Sequence, residues 1–373
     1  MSKLAFRPAA IECFLFRCPA EPPLATAFGV MRDRPALLVR LTDAEGAQGW
    51  GEIFANWPPG GPEHRRGLVG EVLAGLALGR DFASPEALFA HLTAANRTLA
   101  LQCDEPGPFA QAICGLDIAA WDLVARRAGE PLWRLLGSAD SPAALPAYAS
   151  GIGPEAPERV AERKWREGYR AFKLKIGFGH DRDAANLAAM RAALPPAVLM
   201  VDANQAFDRA QALAAAAGLA PSGPVWFEEP IAADAPDAEW LALARDCPLP
   251  LAGGENLRGE DAFRRAAGWL AYLQPDVIKW GGLSLGRRIA AGIAAAGRRY
   301  CPHYLGGGIG LVASAHLMAA MGGAWLEVDA NDNPLRQDLA QPFPPLVDGA
   351  LVLSGAPGLG VAPDLAALAR WRR

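Results

Sequence analysis

The spacing of hydrophobic and polar positions changes character twice along the 373-residue chain. Residues 9–18, Ala36–Leu41 and Gly49–Phe54 alternate with period two, which predicts strands buried on one face, the last two joined as a hairpin at Asp43-Ala44-Glu45-Gly46. From residue 62 the apolar positions recur at i, i+3 and i+4, predicting helices over 62–78, 85–99 and 108–128. In the last of these, Ile113, Leu116, Ile118, Trp121, Leu123 and Val124 mark the buried face. Strands followed by segregated helices make an α+β domain. Two Pro/Gly-rich segments, Pro19–Arg34 and Asn56–Pro62, interrupt it and carry large apolar residues, Phe28, Met31 and Trp57. They read as loops and as candidate lids.

Beyond Leu145 short apolar runs alternate with Ala-rich helices. Strands are expected near 145–149, 171–175, 197–201, 225–227, 249–252, 271–274, 299–302 and 325–328, with helices near 157–168, 181–193, 208–219, 236–245, 259–267, 284–296 and 310–321. Eight βα repeats of this length close into a parallel barrel, so the fold class is α/β, a modified TIM (β/α) barrel with an N-terminal α+β capping domain. An open doubly wound sheet would want a phosphate-binding glycine fingerprint after an early strand, and none is present. The tail Asp348–Gly360 reads as a further hairpin that packs back on the first domain. The expected division is a capping domain with lid loops over 1–135, the barrel over 136–340 and a C-terminal segment over 341–373 that completes the cap.

Composition narrows the function. Hydrophobic residues make up 51%, charged residues 20%, and the net charge is −4; no basic patch suggests nucleic acid. The N-terminus has no apolar leader and no stretch reads as a membrane span, which predicts a cytoplasmic protein. Six scattered cysteines without a CxxC pair predict free thiols rather than disulfides or zinc. Of the 36 Lys+Arg residues, five are lysines: Lys3, Lys164, Lys173, Lys175 and Lys279. Two of those five stand in Ala171-Phe172-Lys173-Leu174-Lys175-Ile176-Gly177, on one face of a strand. Adjacent ammonium groups depress each other's pKa, and lysine, unlike arginine, can then serve as a base.

Ionisable residues end the predicted barrel strands one βα unit apart: Lys175, Asp202, Glu228, Glu255, Asp276, His303 and Glu327. Strand C-termini converge on one mouth in such a barrel. Asp202, Glu228 and Glu255 end three consecutive strands, in Val-Asp-Ala-Asn204, Phe-Glu-Glu-Pro and Gly-Gly-Glu-Asn, and would repel by several kcal/mol without a cation among them. All-oxygen ligation suits Mg²⁺, one per subunit, rather than zinc. Glu228 is preferred to Glu229 as the ligand by its position at the strand end. Asp276 and His303, on adjacent strands, are expected to hydrogen-bond, the carboxylate fixing the imidazole as a general base. His64, His91, His180 and His316 receive no role.

These strand-end residues together resemble the enolase superfamily, mandelate racemase subgroup, as do Asp117-Ile118-Ala119-Ala120-Trp121-Asp122 and Pro357-Gly358-Leu359-Gly360. The resemblance implies removal of the proton α to a carboxylate, with Mg²⁺ and fixed donors meeting the enediolate charge. It makes Lys175 the base on one face, with Lys173 on the substrate carboxylate, and Asp276–His303 the pair on the other. Glu327, if protonated, would donate to the opposite carboxylate oxygen. Lys279 stands where the related muconate cycloisomerase subgroup carries a catalytic lysine, and is read here as a supporting charge. The implied overall reaction is dehydration of an acid sugar or hydroxy acid to a 2-keto acid. Racemisation or epimerisation of a 2-hydroxy or related acid is the alternative, and a barrel that binds metal and sugar acid without chemistry is the rival from another class. The expected partner is a small carboxylic acid, and the expected assembly a homo-oligomer. Phe28 and Trp57 in the candidate lids leave room for a less polar substrate.

Overall fold

A computed structural model describes residues 4–26, 29–137 and 144–373. Strands β1 (Pro8–Thr26), β2 (Gly29–Asp43) and β3 (Gln48–Ile53) form an antiparallel sheet in that order. The β2–β3 turn falls where expected, with Asp43 Oδ1 accepting from the backbone of Glu45 and Ala47 and Gly46 at φ +85°. Pairing of β1 with β2 extends from Pro8 and Asp43 to Thr26 and Gly29. Pro19–Arg34 is therefore the outer half of a β-ribbon and not the loop its prolines suggested. Pro22 and Pro23 fall in the register shift between Pro19 and Leu24, where a strand tolerates residues lacking an N–H. Phe28 lies outside the described residues.

Helices α1 (Gly61–Leu68) and α2 (Ala74–Ala77) are separated by one π turn at Val69–Leu73, so the helix expected over 62–78 is interrupted. They are followed by α3 (Pro85–Gln102), α4 (Pro106–Ala128) and α5 (Leu132–Leu136). Among the described residues, α4 is long and apolar enough to cross a membrane, yet 89% of that stretch is buried inside the protein. It lies close on β3 because Gly51 lacks a side chain: a Cβ there would come 2.0 Å from the Gly115 carbonyl oxygen.

The barrel follows as β4 (Ala144–Ile152), α6 (Pro157–Arg166), β5 (Ala171–Lys175), α7 (His180–Ala193), β6 (Val198–Asp202), α8 (Arg209–Leu219), β7 (Phe227–Glu228) and α9 (Asp237–Asp246). It continues with β8 (Leu251–Gly253), α10 (Gly259–Ala266), β9 (Tyr272–Leu273), α11 (Gly282–Ala295), β10 (Arg299–Tyr300), α12 (Gly308–Met321) and β11 (Leu326–Asp329). Strands β4 to β10 pair in sequence order and in parallel, and β11 pairs with β4. The ring closes between β10 and β11 where Ala324 N donates to Tyr300 O at 2.8 Å. The lower interior is packed by Tyr148, Met200, Trp226, Ala252 and Cys301.

After the short α13 (Pro334–Gln337), β12 (Leu346–Val347) and β13 (Ala350–Val352) form the expected tail hairpin. It does not sit on the cap, however: β13 pairs antiparallel with β4. The chain beyond the hairpin is what reaches the cap, with Leu132 N donating to Gly358 O, Leu359 N to Asp122 Oδ1 and Arg373 N to Leu15 O.

Candidate active site

Parallel pairing sets the geometry of one side of the mouth. Lys175 is in register with Asp202, and Asp202 with Glu228, so three strand ends stand side by side at one level. Lys173, one pleat deeper and fully buried, lies 2.5 Å from Glu228 Oε1, 2.8 Å from Glu327 Oε1 and 3.4 Å from Asp202 Oδ2. Lys175, still 20% exposed, donates to Asp202 Oδ2 at 2.5 Å and to Asn204 Oδ1 at 2.8 Å. Asn204 reaches that position with φ +44°, the left-handed region that asparagine tolerates.

The sharing of carboxylates reverses one expectation. Burial and Lys173 both pull Lys175 down, but the Asp202 carboxylate outweighs them and leaves its pKa above the usual lysine range. Glu327 likewise differs from the protonated donor envisaged. Burial raises its pKa, but Lys173 and His303 hold it below the ordinary carboxylate value. Both its oxygens accept: Oε1 from Ser150 Oγ and Lys173, Oε2 from Tyr304 N at 3.1 Å.

On the other side His303 Nδ1 lies 2.8 Å from Asp276 Oδ2, as the spacing of the two strands implied, and Nε2 contacts Glu255. Burial disfavours its charge, yet Glu255 and Glu327 keep the imidazole protonated well above the ordinary histidine range. Asp276 is fixed in turn by the backbone N–H of Ile278 at 2.9 Å. Lys279 donates to Asn256 Oδ1 at 3.0 Å and lies 5.4 Å from the centroid of the Phe54 ring, a cap residue. Trp57 packs on the ribbon tip, where a Cβ on Gly29 would come 3.3 Å from its ring. Beside it, Asn56 Nδ2 donates to Leu305 O at 2.7 Å, which ties the Asn56 segment to the chain that follows His303.

Alternation from the strand-end acids finds residues that the search for ionisable groups passed over. Trp226 and Gln274 stand two positions before Glu228 and Asp276, on the same strand faces, and both donate to Glu228 Oε2, at 3.1 and 2.7 Å. Glu229 accepts from Asn256 and Gln205 and is buried. Burial, then Asp202, pushes Glu228 up to about 8; burial, then Glu255, does the same to Glu229. These carboxyl groups want more positive charge than the lysines supply. A hard divalent cation fits such an all-oxygen donor set. Among the described residues no three acids converge on a single point as they stand; Lys173 and Lys175 occupy the Asp202 and Glu228 oxygens instead.

Residues 156–367 match the enolase C-terminal domain-like family and residues 10–137 the mandelate racemase / muconate lactonizing enzyme N-terminal domain. The chain belongs to the mandelate racemase/muconate lactonizing enzyme family of the enolase superfamily. A solved mandelate racemase/muconate lactonizing enzyme from Bordetella bronchiseptica RB50 is 51% identical, with a TM-score of 0.91 over 98% of this chain and 99% of that one. A Streptomyces coelicolor A3(2) racemase solved with bound magnesium is 28% identical, with a TM-score of 0.87 over 98% of this chain and 100% of that one. The D-galactarolactone cycloisomerase of Agrobacterium fabrum is 31% identical over 97% of this chain and 98% of its own length. Relatives of this kind include cycloisomerases, dehydratases and racemases.

Proposed function

We propose that this protein removes the proton α to the carboxylate of a small acid, with one Mg²⁺ per subunit held by Asp202, Glu228 and Glu255, and eliminates a β-hydroxyl to give a 2-keto acid. The observation that supports the reading is the two ion-paired groups at the strand ends, Lys175 beside Asp202 and His303 on Asp276. Bound magnesium supplies the divalent charge that makes a proton beside a carboxylate removable. With Asp202 and Glu228 engaged as ligands, the two carboxylates that raise the Lys175 pKa would be shared with the metal, and burial and Lys173 would lower it toward a working base. Lys175 Nζ then takes the Cα proton, and Lys173 meets the charge spreading to the carboxylate oxygens. The Cα–Cβ double bond forms as the Cβ–O bond breaks. His303, held through Nδ1 by Asp276, passes its proton to the departing hydroxyl as water leaves, and the enol tautomerises to the 2-keto acid.

Two relatives are named cycloisomerases, which favours a second reading in which a ring oxygen leaves in place of the hydroxyl. A relative named N-succinylamino acid racemase supports the alternative in which a proton returns on the opposite face. The six free cysteines suit the reduced cytoplasm we propose as the setting.

Screening aldonic, aldaric and hydroxy acids with Mg²⁺ for 2-keto product, and in D₂O for α-proton exchange, tests the proposal. Substrates that bind without either change would instead favour a barrel that binds without chemistry. Glu255→Gln is expected to weaken Mg²⁺ binding in calorimetry and to abolish turnover while the circular dichroism spectrum stays unchanged. Full activity after treatment with a chelator would sink the metal assignment.

A further inference from the structure

We infer that Glu52, in the capping domain, is a positioning residue for the His303 side of the active site, an inference that rests on the functional reading above. Glu52 is the one acid in β3 (Gln48–Ile53), and its side chain is buried at the junction of cap and barrel. Oε1 accepts from Gly307 N at 2.5 Å and Oε2 from Gly310 N at 2.9 Å. These N–H groups belong to the segment that enters α12, where a carboxylate gains from the orphan donors and dipole of a helix start. Burying a carboxylate is costly unless such donors meet it, so the contact demands a definite position of the segment.

That segment begins at His303. Tyr304 donates its N–H to Glu327 and its hydroxyl to Gly307 O at 2.6 Å, and Leu305 O accepts from Asn56, four residues beyond Glu52. Two glycines of the run Leu305-Gly306-Gly307-Gly308-Ile309-Gly310 are explained by the Glu52 contact and by the Tyr304 ring that packs beside it. A Cβ on Gly307 would come 2.9 Å from Glu52 Oε1, and one on Gly310 2.6 Å from the Tyr304 ring. Glycine is required there because a cap carboxylate and a tyrosine ring occupy the space. His303 itself lies beyond the end of its strand, so Glu52 and Asn56 fix the backbone that carries it. Lys175, by contrast, is on a paired strand and, among the described residues, its hydrogen bonds go to Asp202 and Asn204 of the barrel.

The test is stereoselective α-proton exchange by the Mg²⁺-loaded full-length enzyme in D₂O, using epimeric acid pairs, galactarate and L-talarate first and then other aldonic and aldaric pairs. The wild type should exchange both members of one pair. Glu52→Gln, which places an N–H₂ against one backbone N–H, should lose exchange of the epimer facing His303 by on the order of 10²-fold, the worth of a misplacement near 1 Å. Exchange of the epimer facing Lys175 should be unchanged. Asn56→Ala, a milder change in the same grip, should show the same one-sided loss to a smaller degree, and serves if Glu52→Gln does not fold. Equal loss on both faces, or loss on neither, overturns the inference while leaving the functional reading standing. A wild type that exchanges no member of any pair overturns the functional reading and this inference together.

Discussion

The two flanks of the mouth are built on different principles. Lys173 and Lys175 stand on β5, whose register with β6 runs unbroken from Ala171 opposite Val198 to Lys175 opposite Asp202. The pleat alone aims both ammonium groups inward. On the other flank β9 and β10 are two residues each, and Asp276 and His303 both lie past their ends. Their side chains take direction from partners: Asp276 from the Ile278 N–H, His303 from Asp276, and the His303 segment from the cap. A group on a strand needs local order alone, whereas one on a loop depends on whatever encloses it. The flank assigned to the leaving group is thus the one hydrogen-bonded to the capping domain.

The largest test of this contrast is the pair Lys175→Ala and His303→Asn. Each should cost roughly 10²–10⁴-fold in turnover, the usual worth of a positioned acid or base, and each should retain α-proton exchange of the stereoisomer facing the other group. If both variants exchange the same stereoisomer, the two-flank scheme is broken and Lys279 becomes the better second base.

Acid should then loosen the flanks unequally. His316 in α12 accepts from Trp133 N and donates to Leu359 O, both at 3.1 Å, and burial lowers its pKa from 6.5 to about 4. The opened form therefore binds an extra proton below pH 6.5. The docking is at full strength above that value, weakens as pH falls toward 4, and loses about 3 kcal/mol in all. Hydrogen exchange, corrected for intrinsic pH dependence, should show α12 and residues 358–361 losing protection before β5 does. Simultaneous loss would mean that the flanks share one unit of stability.

A smaller effect probes the strand side. Asn204→Gly keeps the left-handed backbone and removes one hydrogen bond to Lys175, worth about 1 kcal/mol, so turnover should fall about fivefold. A loss as large as that of Lys175→Ala would show that β5 alone does not aim the base. The smallest expected change is optical. Trp57 fluorescence should respond to a bound acid, and Asn56–Gly60 should gain exchange protection, with catalytic constants untouched. Equal protection in free and bound enzyme would count against a gating loop.

The contrast also marks what could be read from the chain. Period-two alternation located Lys173 and Lys175, and the βα repeat located Asp202, Glu228, Glu255, Asp276, His303 and Glu327, because strand position is a local property. Protonation was not legible. Whether Lys175 is depressed or raised depends on Asp202, which is 2.5 Å away in space and on another strand. Pro19–Arg34 read as a loop because proline content is a local signal, while its pairing partner and bulge are not. Glu52 was invisible for a similar reason: nothing near residue 52 announces a contact with Gly307 and Gly310. Trp226, by contrast, was within reach, since it stands two residues before Glu228, a position already judged to face inward.

Helix α4 has a consequence for how the protein is made. Its buried Asp117 accepts from Leu283 N, Ser284 N and Ser284 Oγ, and its buried Asp122 joins Trp50 N to Leu359 N. Part of the donor set of these two buried carboxylates is thus synthesised about 170 and 240 residues later. At ribosomal rates of about 5–20 residues per second, Asp117 waits on the order of ten seconds or more for Leu283 and Ser284, whereas Asp122 already has Trp50 N and Arg126. The hydrogen bonds that join α4 to α11 and to the tail are therefore made only after the barrel and the C-terminal segment have been synthesised.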